Sequence, residues 1–267
     1  METNEDNKKV WREIIIKSIT IFKAHLNNLQ VFIKKKDKNR KNIVLFLLSR
    51  RIITNIRAIA ELAGISYKNE GTLLFKLPVG LLLRNCLTDS ITGLYLIKQE
   101  NVAFEHIMEK LNHDYTRALF EELEVYRDKL STSFNDGGLE QIYTSAISDT
   151  FFQYLDINDK KKEDGTLYER SVWNVESQEE YMPKGINGNT QMANMARMLS
   201  KDIQYGDCAK SLYAYYKYFS QWEHFSENGT GDILANFGED NIKMSMTFSH
   251  VNTALDFMLN NDNSNNG

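Results

Sequence analysis

Apolar side chains recur at Val10, Ile14, Ile15, Ile19, Phe22, Leu26, Leu29 and Ile33, a spacing of three to four residues that predicts a helix from Val10 to about Lys36. A basic turn follows, and Asn42 is placed to cap a second helix over roughly 43–63 that ends near Gly64. A third begins at Pro78, tolerated in a first turn because its missing N–H would be unpaired there, and runs to about Lys98. The pattern continues over roughly 102–131, breaks at Asn135-Asp136-Gly137-Gly138, and resumes from Leu139 to Leu155. Residues 156–189 lose the period and become charged, so they read as an insertion, either a lid or a disordered segment. Thr190 to Ile203, Asp207 to about Ser226 and Asn241 to Leu259 restore helical spacing, and the amide-rich residues 260–267 read as a loose tail.

Composition narrows the fold further. With only 2 prolines and 14 glycines in 267 residues, the chain lacks the turn residues that sandwiches, barrels and doubly wound sheets require. The expectation is an all-α fold, an irregular bundle of seven or eight helices in one domain over 1–267, with one long polar insertion. Hydrophobic and charged shares of 42% and 25% exclude wholesale disorder. Two cysteines, Cys86 and Cys208, supply neither a disulfide framework nor a zinc site. There is no P-loop, no Gly-x-Gly-x-x-Gly element and no Glu-x-x-His pair, so neither a nucleotide cofactor nor a di-iron centre is implied. His106, Glu109 and His113 share a helix face, but it lies opposite the apolar side and reads as solvated; no metal is expected. Apolar runs are too short for a membrane span, and the acidic, amide-rich start lacks signal-peptide order, so a cytoplasmic protein with no membrane partner is expected.

Charge is unevenly spread. Residues 1–57 hold 14 Lys and Arg against 5 Asp and Glu, a balance of +9 on a body of −13. Such a basic helical hairpin can contact RNA. It can equally dock on its own protein, on a protein partner or on a second subunit of a homodimer. The Lys34–Lys41 cluster lacks interleaved aromatics, which favours a solvated loop or internal docking.

Two helix faces carry candidate chemistry. On the third predicted helix Arg84, Asn85, Thr88, Asp89 and Thr92 form one polar sector amid Leu81, Leu83, Leu87, Ile91 and Leu94. A helix this apolar belongs at the centre of a bundle, so Arg84 and Asp89 must find partners on neighbouring helices. On the seventh, Tyr213, Lys217, Ser220 and His224 align in one stripe, with Glu223 and Ser226 beside the histidine. Arg84 and His224 are therefore expected on facing helices within one polar site, and a histidine there can take or give a proton near neutral pH.

Arg84-Asn85-Cys86-Leu87-Thr88-Asp89, followed by Tyr216-x-x-x-Ser220-x-x-x-His224, resembles a broad bacterial family of helical proteins of unknown function. It is also similar to the HEPN domains (higher eukaryotes and prokaryotes nucleotide-binding), whose ribonuclease members carry an Arg followed by a polar residue and a His. Where those nucleases place that His, this chain has Asp89, Ser90 or Ile91, and Lys217 stands where their Arg would precede His224. The resemblance implies RNA binding or metal-independent cleavage, in a toxin or antiphage setting. Arg84, Asp89 and His224 would be the catalytic residues, with Asn85, Lys217, Ser220 and Ser226 contacting substrate. His224 would accept the 2′-hydroxyl proton and Arg84 would stabilise phosphate charge, leaving a cyclic phosphate. The rival reading is a non-catalytic helical interaction protein in which Arg84, Asp89 and His224 form a buried network.

Overall fold

A computed structural model describes residues 3–35, 39–105, 107–108, 111, 191–223 and 237–260. The chain divides into two compact units, one made of residues 1–99 and 191–267, the other of residues 100–190. In the second unit residues 101–105 are helical, at the start of the fourth predicted helix. The rest of that helix beyond residue 111, the fifth helix, the 156–189 insertion, the tail after Asn260, and His106, Glu109 and His113 lie outside the described residues.

The first unit is all-α. Its elements are α1 (Asn4–Lys35), α2 (Arg40–Lys68), α3 (Lys76–Ile97), α4 (Met192–Leu199), α5 (Gly206–Ser220) continued by a 3₁₀ turn (Gln221–Glu223), and α6 (Phe237–Asn260), with no strand among the described residues. None of these helices is long and apolar enough to cross a membrane.

Helix α1 starts well before Val10 because Thr3 and Asp6 form a reciprocal cap. The Asp6 N–H donates to Thr3 Oγ1 at 3.2 Å, and the Thr3 N–H donates to the Asp6 carboxylate at 3.1 Å. Helix α2 is capped by Asn39 rather than Asn42, the Asn39 side chain accepting from the Asn42 N–H at 2.8 Å. It also runs past Gly64, where a side chain would meet nothing within 4 Å. What ends it is a left-handed pair, Glu70 (φ 57°) and Gly71 (φ 76°). A Cβ on Gly71 would also sit 2.7 Å from the Asn4 carbonyl oxygen, so the turn is fastened against the start of α1.

Helix α3 is the axis of this unit and packs on α2, α4, α5 and α6. Its Val79, Leu83, Leu87, Ile91 and Leu94 are completely buried, as the apolar pattern requires. Pro78 lies inside the first turn, which opens at Lys76 instead. Two glycines let neighbours approach α3 closely: a Cβ on Gly80 would fall 2.1 Å from the Trp222 ring, and one on Gly93 would fall 2.5 Å from the Met258 thioether. Helix α4 is shorter than its predicted 190–203 because Asp202 accepts hydrogen bonds from the N–H groups of Gln204 and Tyr205, turning the chain into α5. Lys98, just past α3, pairs with the same aspartate at 2.7 Å.

Candidate functional site

Packing of α3 on α5 brings Arg84 and Ser220 together. The Arg84 Nε–H donates to Ser220 Oγ at 3.1 Å, the Ser220 hydroxyl donates to the Tyr216 carbonyl at 2.7 Å, and the guanidinium lies 5.3 Å from the centre of the Tyr216 ring. Arg84 is thus held by a hydroxyl and an aromatic face spaced one turn apart on one helix. Two other members of the predicted site remain outside this contact. Asn85 and Lys217 are both exposed, the Lys217 ammonium lying 6.0 Å from the Tyr213 ring of its own helix. His224 and Ser226 lie outside the described residues.

Asp89 turns away from Arg84 towards α2. Its two carboxylate oxygens accept a fork from Arg51, Nε to Oδ2 at 2.6 Å and Nη2 to Oδ1. The pair is lopsided: the Asp89 side chain is 1% exposed and that of Arg51 64%. Burial pushes the Asp89 carboxyl above its ordinary value, against the opposing pull of the Arg51 hydrogen bond and charge. The polar sector of α3 therefore serves two different neighbours, Arg84 facing α5 and Asp89 facing α2.

A second buried charge cluster gave no signal in the sequence reading. Lys76, fully buried at the start of α3, places its ammonium 2.5 Å from Oδ2 of Asp240 in the first turn of α6. Asp240 Oδ1 accepts from the Tyr218 hydroxyl, and Lys243 lies 3.9 Å from the same oxygen and 4.1 Å from the Tyr218 ring centre. Trp222 and Phe237 wall the Lys76 ammonium at 5.8 and 5.4 Å. An aspartate at a helix N-terminus suits the helix dipole, whereas a lysine there opposes it, so Lys76 depends on Asp240 for compensation. The available hints were a lysine two positions before Pro78 at the mouth of an apolar helix, and the Tyr218/Trp222 spacing.

Among the described residues, the cysteines and histidines are buried or half-buried. Burial raises both thiols, Cys86 strongly and Cys208 to about 11, which leaves neither as a thiolate at neutral pH. His25 is buried with Nε2 2.9 Å from Asn252 Oδ1, and His250 stacks on Tyr215 with its pKa lowered by burial. Among the described residues no group of His, Cys, Asp and Glu could hold a metal ion. Lys41, from the basic cluster, donates to the carbonyls of Ile97 and Gln99 at 3.0 and 2.8 Å, docking the hairpin on the C-terminal end of α3.

Compared with models of known families, with curated proteins and with solved structures, the chain matches none.

Proposed function

We propose that this chain is a non-catalytic helical interaction protein, whose charged groups on α3 hold the bundle together instead of acting on a substrate. The supporting observation is the fate of Asp89. A catalytic acid or base has to reach the proton it moves, and both oxygens of this carboxylate are taken by Arg51 while the side chain is 1% exposed. Arg84 is likewise engaged, by Ser220 and the face of Tyr216.

One contact favours a second reading. Arg84 meets Ser220, which stands four residues before His224 in the sequence. In that reading the chain is a HEPN-like protein that binds or cuts RNA without a metal, in a toxin or phage-defence setting, with Arg84 and His224 as its working pair.

Incubating the purified chain with several RNAs in the presence of a chelator separates the two. The interaction reading expects no cleavage and no difference between wild type and His224→Gln. Cleavage that leaves cyclic phosphate ends, and that His224→Gln abolishes with the unfolding midpoint unchanged, would replace it with the nuclease reading.

A further inference from the structure

The outer face of the α1–α2 hairpin carries a second apolar stripe that the bundle leaves open. Along α1, Ile16, Ile19, Lys23, Leu26, Gln30 and Ile33 are all exposed. Their spacing of three, four, three, four, three is that of the a and d positions of a coiled coil, on a side of the helix distinct from the one that buries Trp11, Ile14, Ile21 and Phe32. Helix α2 adds Ile43 and Leu47, the latter 52% exposed.

The two sets belong to one surface. The Arg57 guanidinium lies over the Phe22 ring at 5.8 Å, which fixes the antiparallel register. Counting forward along α1 and back along α2 puts Leu26 opposite Thr54, and Ile33 opposite Leu47, to within about one residue. The hairpin therefore presents a shallow groove between two helices, lined by aliphatic side chains.

Cations rim this groove. Arg12, Lys23, Lys34, Arg50 and Arg57 are exposed along it. Of the nearby acids, Glu61 is paired with Arg57 at 3.0 Å, and Glu13 turns inward to accept from Asn241 at 2.9 Å. Lys23 and Arg50 make no ion pair among the described residues.

We infer that this groove docks an acidic amphipathic helix from a partner protein, its apolar stripe against Ile19, Leu26, Ile33 and Leu47 and its carboxylates on Lys23 and Arg50. The inference rests on the interaction reading above and names the class of partner. Aliphatic side chains gain nothing from a phosphate backbone, and single-stranded RNA is held by stacking on open aromatic faces, whereas Phe22 on this surface is half-buried beneath the Arg57 guanidinium. A lipid surface is matched by segregated apolar and basic sectors, whereas Lys23 interrupts the apolar stripe itself. A second copy of the hairpin would set like charges against one another. A cation at an a position is, in contrast, a device for choosing an acidic partner helix and its register.

The test uses the full chain and two synthetic helices of about four heptads, each with Leu at a and d, one with Glu and one with Lys at e and g. Fluorescence anisotropy should show the acidic peptide binding and the basic one not. Leu26→Asp, Leu47→Asp and Arg50→Glu should each weaken binding by about tenfold or more while the circular dichroism spectrum is unchanged, because all three residues are exposed. Arg50→Glu removes no apolar surface and so reads the charge contribution alone. Equal binding of both peptides, binding that survives all three variants, or no binding to either would overturn the docking site. So would anionic phospholipid vesicles or self-association in the ultracentrifuge engaging this face in place of the peptide. These failures leave the interaction reading standing, since RNA cleavage tests that separately.

Discussion

At the residue scale, two glycines on neighbouring helices have opposite roles. Gly80 leaves space for the Trp222 ring, and a methyl group there would overlap ring carbons at 2.1 and 2.2 Å. Gly64 has open space around its missing Cβ and a helical backbone that alanine prefers. Gly80→Ala should therefore cost about 1–3 kcal/mol by forcing Trp222 out of place, whereas Gly64→Ala should add about 0.5–1 kcal/mol. Urea unfolding of the two variants checks the signs, and displacement of Trp222 in Gly80→Ala should appear as a shift in tryptophan emission. Sequence alone gave the two glycines the wrong weight. Gly64 looked like a helix stop because glycine often is one, but only the fold reveals which glycine faces a large side chain.

At the scale of elements, the ends of α3, α5 and α6 meet around Lys76, Asp240, Tyr218 and Trp222. Removing one member of a buried pair leaves the other charge uncompensated, which typically costs about 3–5 kcal/mol. Lys76→Met should fall in that range, and Lys76→Met combined with Asp240→Asn should recover part of the loss because the orphaned charge is gone. Equal losses for the single and double variants would assign the cluster's contribution to packing alone, with calorimetric unfolding as the readout. The helices themselves were legible in the sequence, since apolar periodicity records which face is buried. Their ends were less so: Thr3 with Asp6, Asn39, and the Glu70-Gly71 turn each act through a local hydrogen bond or dihedral that periodicity does not encode. The sequence also marked the polar sector of α3 and its need for partners on other helices. It could not sort Arg84 to α5 and Asp89 to α2, because that assignment depends on which side of α3 each helix packs against.

At the scale of the whole molecule, charged groups of α3 tie it to three neighbours: Asp89 to α2, Arg84 to α5, and Lys76 to α6. The Arg51–Asp89 pair makes the sharpest prediction because its two members are buried so unequally. Asp89 has its carboxyl raised in the fold, so its contribution to stability is full below the ordinary carboxyl value of 3.8 and is lost as pH rises through the folded value. Arg51 is what keeps the ionised form tolerable. The most direct measurement is urea unfolding of Arg51→Met, Asp89→Asn and the double variant, at pH 7 and again near pH 4. If Arg51 compensates the buried carboxylate, Arg51→Met should lose about 3 kcal/mol at pH 7, a loss that shrinks near pH 4 as the stranded carboxyl takes up a proton. Asp89→Asn should lose only about 1 kcal/mol, since Arg51 can return to water, and the double variant should match Asp89→Asn. An Arg51→Met protein as stable as wild type at pH 7, or a loss that does not change with pH, would contradict the claim that Arg51 compensates the buried Asp89 carboxylate.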